Sequence, residues 1–209
     1  MSGCGCEMEA RNEQERKTLR IVLGINAFMF IVELALGLLA ESTGLIADSL
    51  DMFADASVYS ISLYAVGKSS SLKGKSAKIS GVIQIILALL VLFDVLRRYI
   101  HGSEPVSLLM IGVGIIALIG NSICLSLISK HRDDGVHMRA SIIFSKNDVI
   151  ANTGVIISGI LVWVLGSRYP DLIIGLIIAL VVLRGGFHIL KEAVSHQASL
   201  ASVTTNKDE

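Results

Sequence analysis

The sequence predicts an all-α fold: a polytopic membrane protein built as a bundle of six transmembrane helices. Three observations lead there. Of 209 residues, 53% are hydrophobic and only 17% charged, less charge than a soluble domain of this length carries. The mean hydropathy is +0.69, and the apolar mass is Leu, Ile, Val and Ala with only two prolines. That mass falls into six separate stretches, each near the ~20 helical residues that cross a hydrocarbon core.

The stretches run about 20–40, 44–66, 78–99, 106–129, 139–165 and 172–190. Short connections separate them, near Glu41–Thr43, Gly67–Lys75, His101–Pro105, Lys130–His137 and Ser167–Pro170. Short loops join antiparallel neighbours, so the bundle runs up and down. Pro105 and Pro170 both stand at helix starts on one side, where a missing N–H costs nothing. The flanking segments, 1–19 and 191–209, are polar and too short to bury a core. The domain reading is therefore a polar tail at each end of one membrane domain over 20–190. The first apolar run has full membrane length, unlike the short core of a signal peptide.

Lys and Arg set the expected orientation. Thirteen of 18 fall on one side, in the two tails, the second and fourth loops and the span ends next to them. Only Arg97, Arg98 and Arg168 fall on the other side, and Lys146 and Arg184 lie within spans. Both termini are expected in the cytoplasm, with the protein in the cell membrane. A formal net charge of zero gives no basic surface for nucleic acid. Cys4, Cys6 and Cys124 form no disulfide framework. There is no glycine-rich phosphate loop, nucleophile elbow or His-Glu zinc-protease helix, so an enzyme is not expected and no prosthetic group is implied.

The informative residues are those that do not belong in lipid. An aspartate at the centre of a membrane helix costs on the order of 2.5–3.5 kcal/mol to insert. The second span holds Asp48, Asp51 and Asp55; the fifth holds Lys146, Asn147, Asp148 and Asn152. Asp51 and Asp55 are four apart and share a helix face, with Asp48 close to it. Asp148 and Asn152 repeat that spacing. A rise of about 1.5 Å per residue puts Asp55 roughly 13–14 Å from the inner surface, and Asp148 at similar depth. Antiparallel packing then brings Asp51, Asp55 and Asp148 together near mid-bilayer. Three carboxylates so placed cannot all stay ionised and empty; protons or a cation must neutralise them. Such a cluster suits both sides of a metal–proton exchange. The plainer alternative is helix–helix glue, with Asp48 pairing to Lys146.

The run Ala47-Asp48-Ser49-Leu50-Asp51-Met52-Phe53-Ala54-Asp55 resembles the second helix of the cation diffusion facilitator family. The likeness covers about residues 20–190. It implies a six-helix transporter that exchanges zinc or a related divalent ion for protons, usually as a homodimer. On that likeness Asp51 and Asp55 match the second-helix metal ligands, and Asp148 matches the fifth-helix aspartate. Asn26 stands where the family often has asparagine. Two positions depart. Phe144 replaces the family's fifth-helix histidine, leaving the shell to Asn147, Ser145, Asn152, Asp48 or a water. An all-oxygen site leans away from zinc toward Mn²⁺ or Fe²⁺, with Co²⁺ and Cd²⁺ also in range, or marks altered or lost transport. Residues 191–209 are too few for the family's cytoplasmic domain after the sixth helix, so a dimer is expected to use the membrane helices.

Weaker candidates remain. Cys4 and Cys6 are either a two-thiol metal hook or part of a disordered end. His131 and His137 read as solvent-facing. Glu33 lies seven residues from Asn26 on one face, as a proton relay or a partner for a polar neighbour. Asp94 pairs within its helix to Arg97 and Arg98. Asn121 and Cys124 read as packing residues, and Gly185-Gly186 as a close-packing or bending point. The leading expectation is proton-coupled efflux of a divalent cation. The rivals are a non-transporting membrane partner or regulator of another transporter, and an exporter of organic cations, for which the 5% aromatic content is low.

Overall fold

A computed structural model describes residues 4–65, 70–130 and 136–205, with the side chains of 4–12, 15, 58, 61–62, 64–65, 70–77, 80, 136–141, 143–144 and 192–205 outside the description. Among the described residues there are six helices: α1 (Cys4–Leu39), α2 (Thr43–Ala65), α3 (Ser70–His101), α4 (Ser107–Ser129), α5 (Val136–Leu165) and α6 (Tyr169–Thr205). Each expected span lies in its own helix. Three helices overrun their spans because hydropathy marks the lipid, not the helix. No Gly or Pro interrupts 191–205, and Lys, Glu, Ala and Gln keep that polar segment helical. The backbone of the N-terminal tail is likewise helical from Cys4, and α3 starts within the expected second loop, at Ser70.

Four helices carry a stretch long and apolar enough to cross a membrane: Arg16–Leu39, Ser107–Ser129, Ser145–Leu165 and Tyr169–Lys191. Only 28–33% of each such window is buried inside the molecule. The rest presents Phe28, Ile31, Leu108, Ile119, Ile150 and Trp163 outward. A water-soluble chain does not leave so much apolar surface uncovered; lipid covers it. The chain is a multi-pass membrane protein.

The helices pack in three antiparallel pairs, α1 with α2, α4 with α5 and α3 with α6. The first two pairs meet through α1–α4 and α2–α5, making a four-helix bundle, and α3–α6 leans on α2 and α5. Glycines set the α3–α6 approach. A Cβ on Gly186 would stand 2.9 Å from Ile85 Cγ1 and 3.1 Å from its backbone nitrogen, and one on Gly81 3.0 Å from the Gly186 oxygen. Only small residues admit helices this close, so Gly185-Gly186 is a packing point.

Three connections gather at one end, here called the outer end. Val106 N donates to Ala40 O (2.9 Å), and Glu104 N donates to the Glu41 carboxylate (3.1 Å). Arg98 donates to Glu41 O (2.5 Å) and to Asp94 (2.6 Å), while the exposed Arg97 holds the other Asp94 oxygen at 2.7 Å. Asp171, in the first turn of α6, closes the corner. It accepts from Ser42 Oγ (2.7 Å), Thr43 N (2.6 Å) and Gly44 N (3.0 Å). These are orphan donors at the start of α2, and a carboxylate there also opposes the helix dipole favourably. Gly175 completes the joint: a Cβ there would meet Thr43 Cγ2 at 2.6 Å.

Candidate metal centre

The interior of the four-helix bundle is polar at mid-height, and the polarity has a pattern. Spacings of three and four put Asp48, Asp51, Asp55 and Tyr59 on one stripe of α2, and all four are buried. The same rule aligns Ser145, Asp148, Asn152, Val155 and Ser158 on α5, all wholly or almost wholly buried. Because the two helices run antiparallel, the stripes face each other. Asp55 and Asp148 come within hydrogen-bonding reach of one another, and Tyr59 within reach of Asp55. The Tyr59 hydroxyl and Ser145 Oγ lie 3.3 Å apart beneath them.

Asp51 sits one turn outward and contributes charge to the pair rather than contact. It is 9% exposed, against 3% for Asp55 and Asp148. It opens on a cavity of about 200 Å³ lined by Asn147, Ala151 and Gly154 of α5 and Ile174, Ile178 and Val181 of α6. Asn147 therefore faces the cavity, not the Asp148 side of its helix. Asp48 lies further outward and meets Glu33 of α1. As two carboxylates these groups have no donor between them, so both Glu33 oxygens and Asp48 Oδ2 lack a partner. One shared proton would close the contact. Lys146 is exposed, away from the buried Asp48 that the alternative reading paired it with.

Among the described residues, no three His, Cys, Asp or Glu side chains already converge as ligands on one point. What converges is one acid pair, Asp55 with Asp148, and three further buried polar residues on the bundle's inner faces are amides. Asn26 donates its Nδ2 to Val22 O (3.0 Å) and toward Cys124 Sγ (3.9 Å). Asn152 donates its Nδ2 to Asp148 O (2.7 Å). Asn121 is wholly buried. The side chains of Phe144, Cys4, Cys6, His131 and His137 lie outside the described residues, so neither the histidine replacement nor the thiol hook has a described geometry.

Two participants escaped the sequence reading. Tyr59 looked like one more aromatic in an apolar helix; its place four residues beyond Asp55 was the available signal. Asp171 sits at a span boundary, where an acid is ordinary.

Lipid-facing helices around buried, facing acids define a multi-pass membrane protein with a carboxylate centre in its interior. The chain belongs to the cation efflux family: residues 19–196 match the model of the cation efflux transmembrane domain. Members of that family are transporters, not enzymes. The chain is 26% identical over 121 residues to a "Cadmium, cobalt and zinc/H(+)-K(+) antiporter" of Bacillus velezensis, a match covering 57% of this chain and 39% of that protein. It is 22% identical over 121 residues to the Bacillus subtilis protein of the same name, covering 57% and 39%. It is also 22% identical over 119 residues to "Zinc transporter ZitB" of Yersinia pseudotuberculosis, covering 56% and 38%. The matched stretch thus spans about two fifths of these relatives' own lengths.

Proposed function

We propose that this chain exports a divalent metal cation from the cytoplasm in exchange for protons, with Asp55, Asp148 and Asp51 carrying the ion. The single observation behind this is the meeting of Asp55 and Asp148 deep in the bundle. Two carboxylates in low dielectric repel unless a proton or a cation lies between them. Metal loading then displaces protons, and metal release restores them. Asp51, with its partial exposure and the cavity beside it, is the way in. Glu33 and Asp48, one step outward, form a proton relay. Rocking of the four-helix bundle against α3–α6 would alternate access.

The excess of Lys and Arg at one end supports termini in the cytoplasm and a place in the cell membrane. The antiporter and transporter names of the relatives support proton exchange and a cargo among zinc, cadmium and cobalt. The reading includes a homodimer, and polar segments at 1–19 and 191–209 flanking one membrane domain.

Purified protein in liposomes tests it. Zn²⁺, Co²⁺, Cd²⁺, Mn²⁺ or Fe²⁺ should accumulate with an imposed pH gradient, and Asp55→Ala should reduce flux to that of empty liposomes. Wild-type flux in Asp55→Ala would remove the proposal. Phe144 favours a second reading, a non-transporting membrane partner, because a phenyl ring cannot bind metal. Absence of flux for every ion, with the bundle still associating with another transporter, would select it.

A further inference from the structure

The acid pair leaves a question of coordination. Two carboxylates offer too few donors to strip a divalent ion of its water, and no third acid reaches the same point. Buried amides on the inner faces of the same bundle are the further oxygen donors at hand.

In both Asn26 and Asn152 the nitrogen is spent on a backbone carbonyl one turn earlier, which fixes the side chain and leaves its oxygen unpaired. Asn121 has neither end satisfied. With Asp55 Oδ2 there are four unpartnered buried oxygens, one from each helix of the bundle: α1, α2, α4 and α5. All four residues are at most 3% exposed.

Their heights fall within about one helical turn of the acid pair. On α4, Ala117, Asn121 and Cys124 lie on one buried stripe at intervals of four and three, hence on one face. Ala117 packs with Met29 of α1 and Met52 of α2. Cys124 meets Asn26 of α1 and is an electrostatic neighbour of Asp55 and Asp148. Asn121 lies between those two layers on the same buried face of α4. Asn152 is one turn, about 6 Å, outward of Asp148 on the same face. Buried amides in a helix bundle ordinarily bond to each other or to a neighbouring helix. Here their oxygens are left unpaired.

We propose that the side-chain oxygens of Asn26, Asn121 and Asn152 complete the shell of the ion held by Asp55 and Asp148, making an all-oxygen site of five side chains, six-coordinate with one carboxylate bidentate, that prefers Mn²⁺ to Zn²⁺. This deepens the transport reading and rests on it. Carboxylate and carbonyl oxygens in a shell of about six suit Mn²⁺, whereas Zn²⁺ is best held by four ligands that include nitrogen or sulfur. The amides also explain how the centre works without the histidine that Phe144 replaces.

The test titrates the purified full chain with Mn²⁺, followed by the resonance signal of the free ion, and with Zn²⁺ against a chelating dye. Leucine is close to asparagine in size and needs no hydrogen bond. Asn121→Leu should weaken Mn²⁺ binding about tenfold or more while changing Zn²⁺ binding much less. The same variant should raise the unfolding temperature of the metal-free protein by about 2–4 °C, because it removes an unsatisfied amide. Asn26→Leu, read the same way for metal preference, guards against a folding failure at the first position. Unchanged Mn²⁺ affinity, equal losses for both ions, or a lowered metal-free stability in Asn121→Leu would overturn the assignment; the amides would then hold water or the fold. Asp55→Ala separates the two claims. If it loses both ions while the asparagine variants keep theirs, only the shell is wrong. If it binds both ions as the wild type does, the carboxylate centre itself falls.

Discussion

Asp171 and Asp55 are both aspartates buried in the same molecule, and they are opposites. Asp171, at the outer end, accepts three hydrogen bonds from the start of α2. Asp55, at mid-height, faces another acid and keeps one oxygen without a partner. The difference separates a polar group that builds the fold from one that the fold holds ready. A buried carboxylate whose donors are all present is finished; it needs no ligand and tolerates none. A buried carboxylate opposed by a second needs a proton or a cation between them. Burial alone does not distinguish them, and neither does residue type. The donor inventory does.

The sharpest way to break this comparison is to exchange consequences. Asp55→Ala is expected to abolish flux while leaving the bundle folded, since it removes one of two like charges and the Tyr59 hydroxyl keeps Ser145 as a partner. Circular dichroism and thermal unfolding in detergent should match or exceed wild type. Asp171→Ala is expected to do the reverse. It strands three buried donors, at a cost of about 3 kcal/mol or more, which for a chain of this size lowers the unfolding temperature by roughly 6–12 °C. Metal preference in liposomes made from the surviving fraction should be unchanged. An Asp171→Ala protein of wild-type stability would mean that the outer cap is ornamental and the contrast false.

Packing at the α3–α6 joint gives the next largest effect. In Gly186→Ala the new methyl meets Ile85 Cγ1 at 2.9 Å and backbone atoms within 3.2 Å. Backbone cannot step aside as a side-chain tip can, so the helices must part. The expected cost is about 1–3 kcal/mol, again with metal preference intact, because no residue of the polar layer belongs to this pair. A changed ion preference would show that α3–α6 feels the site, against the division drawn here.

How much of this was legible beforehand follows the same physics. The six helices were readable because lipid imposes a length on each apolar run and polar loops bracket it. The true helix ends were not, since a helix does not stop where the membrane does: α6 continues to Thr205 through residues that hydropathy excludes. The facing of Asp55 and Asp148 was readable because period and antiparallel order fix which faces meet. The outlying place of Asp51 was not; spacing put it on the shared stripe, and only packing shows it turned toward a cavity. Asn121 read as a packing residue for a plain reason. One amide in an apolar span is ordinary, and its meaning lies in the unpaired atoms around it, which no single helix records.

The smallest effect is the most exacting use of the comparison, because it sets two neighbours on one acid. Arg97 and Arg98 both grip Asp94, at 2.7 and 2.6 Å. The Arg97 side chain is 54% exposed and that of Arg98 only 6%. An exposed pair is screened by water and gives back in side-chain entropy most of what it gains, so Arg97→Ala should cost no more than about 0.5 kcal/mol. Arg98 also donates to the Glu41 carbonyl, at the one described non-glycine residue with positive φ, and so ties α3 to the α1–α2 turn. Its removal leaves that carbonyl and a half-buried carboxylate short of a donor, for about 1.5–3 kcal/mol. Arg98→Lys should recover little, since an ammonium cannot span both acceptors as the guanidinium fork does. Equal effects at the two positions in thermal unfolding would show that charge, not the completed donor set, holds the outer end together.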